Sequence, residues 1–338
     1  RFGRGKLVET LRTGTQDEQI AAAQEIGRRG DSNAVPALLT YIETDGAGSS
    51  NTSKEMAILA LGEIGDPRAV TPLLDILNTR GPLQEAAIKA LGKLGDERAL
   101  DPIASVLSRP SLRNEAISAL LNLGPRVLVR ATSLLRDLST AGPACNLLGQ
   151  LGDRRALWPL VKTLHSPRAP VRRQCAAALG NLGDPRAQRA LYHLLQDPDP
   201  SVRRSAAASL TRLADGSMGP LLAPYIMEEK QDSIQLISAL RGDSAKASIP
   251  TLIKIASHHT NPNQKEAIAA LGRIGGQEAI HTLAKLLNSE RGYVRFLSAS
   301  SLAKLGPVDG YHPLFEAAQN TGTAQVEGFR GLGDLFRT

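Results

Sequence analysis

The sequence predicts an all-α fold, an α-solenoid of stacked helix pairs, and three observations carry that reading. The first is a signature, Leu-Gly-x-[Leu/Ile]-Gly-Asp, recurring at intervals of about thirty residues or multiples of them. Full copies stand at 61–66, 91–96, 148–153 and 179–184, with near-copies at 271–276 and 302–306. The second is the spacing of apolar residues, three and four apart between signatures, which is the period of a helix. The third is composition. Aromatics make up 3% of the chain, and a core of Ala and Leu suits close-packed helices rather than sheets. A unit this short buries its apolar face only against its neighbours, so the units must stack. The 338 residues hold about ten such pairs, expected as one array over 1–338.

Residues 184–214 show how each element arises. Asp184 is suited to cap a helix, and Pro185 to its first position, where the missing N–H costs nothing. Ala187, Ala190, Leu191, Leu194 and Leu195 follow at helical spacing and define the first, outer helix. Gln196-Asp197-Pro198-Asp199-Pro200 is a turn of helix breakers. Val202, Ala206, Leu210 and Leu213 then line one face of the second, inner helix, where Ala207 and Ala208 admit a close neighbour. Gly183, at the end of the preceding inner helix, is suited to a left-handed cap.

The same grammar gives further outer helices from Asp66, Asp96, Asp153 and Gly276. Pro72, Pro102, Pro159 and Pro313 each fall in or near the first turn of one, where proline is tolerated. Three stretches depart from the pattern. A polar loop at 44–53 replaces a tight turn and reads as a tolerated insertion. Residues 124–147 keep the length of a unit but lose its signature, and Gly142-Pro143 is expected to weaken the inner helix there. Residues 214–262 are the most diverged, with Ala214 and Arg241 where glycine is expected.

The net charge is +7 and unevenly placed. Residues 125–215 hold 14 Lys/Arg against 6 Asp/Glu, and 13 of those 14 are Arg; the segments on either side are close to neutral. Cys145 and Cys175 are too few for a disulfide framework and are expected as packed core thiols in adjacent repeats. No apolar run is long enough to span a membrane and no secretory signal is visible, so a cytoplasmic location is expected. The chain opens at Arg1 and closes on 333–338, Gly-Asp-Leu-Phe-Arg-Thr, which reads as the start of another unit and suggests a fragment.

Asp197-Pro198-Asp199-Pro200-Ser201-Val202-Arg203, followed by Leu210, resembles the HEAT repeat, in the short form of the phycobilisome-lyase group. Pro170-Val171-Arg172-Arg173, Tyr293-Val294-Arg295 and Leu112-Arg113 match more loosely. The resemblance covers nearly the whole chain and implies a right-handed solenoid whose inner helices line a concave surface that holds other macromolecules. In such arrays the Arg after Val commonly pairs with an Asp of the turn. Here Asp197 and Asp199 can serve Arg203, while the turns before Arg172 and Arg113 lack a carboxylate. In the lyase group some members attach bilins to light-harvesting proteins and others bind those proteins without catalysis.

Catalytic and metal-binding patterns are missing from the sequence, so no cofactor, metal or catalytic residue is expected. None of the six histidines stands in the i, i+4 arrangement of a helical metal site, and His258-His259 precedes a breaker pair. No His-Glu dipeptide occurs, which argues against the di-iron hydroxylase branch of HEAT proteins. The Leu-Gly-x-Leu-Gly segments follow no strand, so they are repeat caps and not nucleotide loops. Glu228-Glu229 reads as a solvated pair, and Trp158 as a packing residue in the apolar register of an outer helix.

One cluster remains. Arg172, Arg173, Arg203 and Arg204 begin two successive inner helices, with Arg168 in the adjoining turn. Equivalent positions in stacked helices lie about 10 Å apart, so a basic stripe suited to carboxylates or phosphates is expected. Structural ion pairing is the bland alternative. The leading functional expectation is a non-enzymatic scaffold that docks an acidic protein partner there. A bilin-lyase-like subunit is the alternative implied by the resemblance. Phosphate-tracking nucleic-acid binding ranks below both, because the patch lacks aromatics to stack bases.

Overall fold

A computed structural model describes residues 3–44, 50–213, 233–240 and 243–314. Outside these residues lie 45–49 of the expected loop, Ala214, Glu228-Glu229, Arg241 and the C-terminal segment 333–338. The described residues form helices and turns without a strand. They fall in two compact units, Arg1–Ala178 and Leu179–Thr338.

In the first unit the outer helices are α1 (Arg4–Thr13), α3 (Val35–Glu43), α5 (Val70–Asn78), α7 (Leu100–Ser105), α9 (Val127–Leu134) and α11 (Leu157–Thr163). The inner helices are α2 (Gln16–Arg29), α4 (Asn51–Ile64), α6 (Gln84–Leu94), α8 (Arg113–Asn122), α10 (Ala141–Leu151) and α12 (Ala169–Leu182), the last of which the unit boundary crosses. Inner helices α2, α4, α6, α8 and α10 pack in succession. In the second unit outer α13 (Gln188–His193) and inner α14 (Pro200–Leu213) are followed by α15 (Ser233–Ala239), α16 (Ile249–Ser257), α17 (Gln264–Ile274), α18 (Gln277–Leu286), α19 (Gly292–Lys304) and α20 (Gly306–Asp309). There α14, α15, α17 and α19 pack in succession. Leu61, Leu73, Leu91, Leu120 and Leu148 in the first unit, and Leu191, Leu252, Leu271 and Leu283 in the second, are wholly buried or within 2% of it.

The two glycines of the signature do different work. The second ends the inner helix in the left-handed conformation: Gly95 has φ 67° and its N–H donates to the Leu91 carbonyl. The first lies where two inner helices cross. A Cβ on Gly92 would stand 2.6 Å from the Cα of Ala119, and one on Gly149 would stand 2.6 Å from the Cα of Ala178. In the second unit Gly180 faces Ser209, and Gly272 faces Ser301. Small residue thus meets small residue at each of these crossings, which brings the helices together backbone to backbone; α8, with Leu121 at the equivalent position, lacks the glycine.

Each signature aspartate opens the next outer helix, through a single 3-10 turn rather than directly. Asp66 accepts from the backbone N–H of Arg68 at 2.9 Å, two residues on, which closes the tight turn Pro67–Ala69 ahead of α5. Asp96, Asp153 and Asp184 do the same with Arg98, Arg155 and Arg186. The arginine then folds back so that its guanidinium grips the carboxylate, at 2.6 Å for Arg68 and Asp66. Sequence reading found the cap and missed the arginine, although Asp-x-Arg stands in all four copies. The outer helix expected over residues 185–195 is accordingly split: a 3-10 turn Pro185–Ala187, α13, then a 3-10 turn Leu194–Gln196.

These aspartates make an acid-sensitive feature. Hydrogen bonds from the Arg68 and Arg98 side chains, then from their backbone N–H groups, hold Asp66 and Asp96 down at about 2. Asp153 is lowered for the same reasons. A carboxylate depressed by folding contributes stability that is complete above its unfolded value of about 4 and is lost as pH falls through the folded value. Urea midpoints are therefore expected to hold down to about pH 5 and fall between about pH 4 and 2. The fall should be shallower in an Asp66→Asn/Asp96→Asn/Asp153→Asn variant; equal slopes would refute the assignment.

Four expectations need correction. Cys145 and Cys175, both fully buried, are joined by a disulfide between α10 and α12, with Cα atoms 4.9 Å apart. They are not separate packed thiols, because equivalent residues of neighbouring inner helices point into the same interface. Trp158 is 58% exposed. Its neighbours Leu157 and Leu160 occupy the buried register of α11, and the helix turns Trp158 away from it. Residues 51–53, expected in the polar loop, begin α4 instead, because Ser50 and Ser53 form a capping box. Gly142-Pro143 does not interrupt α10, since both residues sit in its first turn, where the missing proline N–H has no partner to lose. The unit at 124–147 keeps a helix pair, α9 and α10, and retains one capping glycine, Gly124, with φ 68°.

Candidate functional site

The five arginines singled out by sequence divide between the units and between two roles. In the first unit Arg172 is half-buried in the first turn of α12, and its Nη1 donates to the Ser166 carbonyl at 2.8 Å. In the second unit Arg203 holds the same position in α14, donating to the carbonyls of Asp197 at 2.8 Å and Pro198 at 3.1 Å. Arg113 and Arg295 repeat the bond to Leu107 and Ser289, again six residues back. Carbonyls at the end of an outer helix lack partners within the helix. An arginine at the start of the inner helix supplies the donor and ties the two helices of a pair together. Gln84, Thr140 and Gln264 reach the carbonyls of Leu77, Leu134 and Ala256 in the same way.

Arg173 and Arg204, one residue further on, are exposed. Arg168 is exposed too, and its Nη1 donates to the Leu138 carbonyl of the preceding turn at 3.0 Å. Arg291 makes the equivalent bond to His259 at 2.5 Å. The sequence thus grouped clamping arginines with outward-facing ones. The signal that separates them was present: clamps also occur outside the basic third, at Arg113 and Arg295. Links between neighbouring repeats run through the signature's x position, Glu63 to Lys93 in the first unit and Asn181 to Arg212 in the second. Exposed pairs of this kind contribute little to stability.

Among the described residues no group of three or more His, Cys, Asp or Glu is placed to hold a metal ion. His258 bonds Thr260 through Nδ1 at 3.1 Å and stacks on His259. No helix in the described residues is long and apolar enough to cross a membrane.

Repeated helix pairs, glycine crossings and shared inner-helix packing define an α-helical repeat protein. The chain belongs to the HEAT-repeat family, whose model matches residues 6–83, 136–212, 220–303 and 249–326. A model of the PBS lyase HEAT-like repeat matches residues 83–109. No curated protein matches the sequence. Among solved structures the chain is similar to an engineered protein, 21% identical with a TM-score of 0.35, covering 98% of each chain. It is also similar to human deoxyhypusine hydroxylase in complex with glycerol, 20% identical with a TM-score of 0.32, covering 75% of this chain and 98% of that one. A third is the complex of CpcE and CpcF of phycocyanin lyase from Nostoc sp. PCC7120, 20% identical with a TM-score of 0.32, covering 80% and 94%. Likeness at this level carries no argument about activity.

Proposed function

We propose that this chain is a non-enzymatic scaffold that docks an acidic protein partner along its inner helices, through Arg168, Arg172, Arg173, Arg203 and Arg204. The observation that carries the proposal is the exposure of Arg173 and Arg204 beside clamping arginines that hold their helices in place. The charge balance of residues 125–215 adds to it, with 14 cations against 6 anions. Arginine forks recognise carboxylates in bidentate fashion, and mounting them on a braced helix lowers the cost of ordering them. Arg172 and Arg203 contribute chiefly by fixing that mount.

The test separates the two roles. Affinity capture from the native extract, followed by titration of the captured protein in purified form, is run on wild type and on an Arg173→Glu/Arg204→Glu variant. The variant should keep its fold and lose at least about tenfold in affinity. Reversal at Arg172 and Arg203 should lower stability first. A folded Arg173→Glu/Arg204→Glu variant that binds undiminished would remove these arginines from the function. The alternative, a bilin-lyase-like subunit, is favoured by the PBS lyase HEAT-like match at 83–109. Transfer of a bilin to an acceptor apoprotein in the presence of this chain is its direct test, and absence of transfer rejects it.

A further inference from the structure

Large apolar side chains are exposed at six described positions, Val129, Leu138, Trp158, Ile234, Tyr293 and Phe296. Three of them, Val129 at 78%, Leu138 at 49% and Trp158 at 58% exposure, line one groove of about 680 Å³ in the first unit. Its walls are the outer helices α9 and α11 and the turns that follow them. It is therefore built from the opposite helices of each pair to those that carry the arginine clamps. Scattered exposed apolar residues need no explanation, but three gathered in one concavity call for one.

The groove is also one-sided in charge. Arg136, Lys162 and His165 line it, and no Asp or Glu does. Arg136 and Lys162 are exposed, and neither side chain has a hydrogen-bond or ion-pair partner among the described residues. The nearest carboxylate in sequence, Asp137, is held by the backbone N–H and hydroxyl of Ser139 at 2.8 and 2.9 Å.

We infer that this groove binds a short acidic segment of another protein, one bearing an aromatic or aliphatic anchor. The anchor packs against the Trp158 indole, Val129 and Leu138, where water is released from apolar surface on both partners. Flanking carboxylates of the segment meet Arg136 and Lys162, which set its orientation and exclude basic sequences. Tryptophan beside arginine is the composition of an interface centre. This inference goes beyond the docking surface proposed above: it uses different helices, and its variants leave Arg173 and Arg204 intact.

The test selects peptides from an unbiased displayed library against the whole chain, with a Val129→Asp variant as the counter-selection. Val129 is 78% exposed, so this substitution leaves packing untouched, which an unchanged circular dichroism spectrum verifies. Selected peptides should carry Asp or Glu around a Phe, Trp, Leu or Met. Labelled peptides should lose at least about tenfold in affinity with Val129→Asp, and again with Arg136→Glu/Lys162→Glu. Trp158 is the only tryptophan of the chain, so peptides lacking Trp should shift its emission on binding. Three outcomes overturn the inference: no enrichment over Val129→Asp, selected peptides that are neutral or basic, or binding that survives both variants. Concentration-dependent dimerisation abolished by Val129→Asp would also overturn it, and would assign the groove to a second copy of this chain.

Discussion

Replacing Gly92 with leucine is expected to lower the stability of the repeats around α6 and α8 by about 3 kcal/mol or more, an overpacking penalty. Even alanine should be costly. Alanine improves helix propensity over glycine by about 1 kcal/mol, but its Cβ would stand 2.6 Å from the Cα and Cβ of Ala119. The obstacle is a facing helix backbone, which cannot rotate away as a long side chain would, so the clash outweighs the propensity gain. Gly95, three residues on, supplies the control. Nothing lies within 4 Å of its hypothetical Cβ, and the difficulty there is φ 67°. Gly95→Ala should cost about 1–2 kcal/mol for a left-handed residue. Gly95→Asn should recover much of that, because asparagine tolerates this conformation, whereas Gly92→Asn should recover nothing. Urea unfolding followed by circular dichroism, with hydrogen exchange to localise the loss, measures all of these. A Gly92→Ala variant as stable as wild type would show that the helices do not cross at Gly92 and Ala119.

The second large effect concerns the Cys145–Cys175 bond, whose residues are 30 apart in sequence. Cross-linking a loop of that length stabilises by about 3–4 kcal/mol in the chain-entropy account, and the Cα separation of 4.9 Å lies within the ordinary disulfide range. Reduction, or a Cys145→Ala/Cys175→Ala variant, should lower the stability of α10 to α12 by about that amount. Peptide mapping without reductant should return the two cysteines in one linked species. Both sulfurs are buried, so reduction of the folded protein should be slow and should accelerate in denaturant. Two titratable thiols in protein unfolded without reductant would reject the bond.

Much of the fold was legible in the residues themselves. The capping glycines, the signature aspartates and the inner-helix leucines fell where periodicity put them, because each depends only on local backbone conformation and a 3.6-residue period. The candidate site was less legible. Arg172 and Arg173 are adjacent in sequence and look alike by composition, yet one is half-buried and donates to a carbonyl while the other is exposed. Helical rotation of about 100° between neighbours separates them, and sequence gives no direct measure of where a turn places its free carbonyls. Trp158 was misjudged for a related reason. Leu157 and Trp158 are both apolar, and only the packed position of α11 decides which faces inward.

The sequence by itself determined that this protein is an all-α stack of HEAT repeats, which residues cap its repeat helices, and that its excess of cations over anions lies between residues 125 and 215. Those properties reside in short windows of chain, where propensity, capping and charge act over a few residues. Tertiary structure alone decided which glycine of each signature is a crossing point and which arginines are clamps. It also decided that two cysteines 30 residues apart meet, and that Trp158 opens onto a groove with Val129 and Leu138. Each depends on a surface shared by packed helices, of one pair for the clamps and of neighbouring repeats for the rest, and such a surface exists only once the helices have packed.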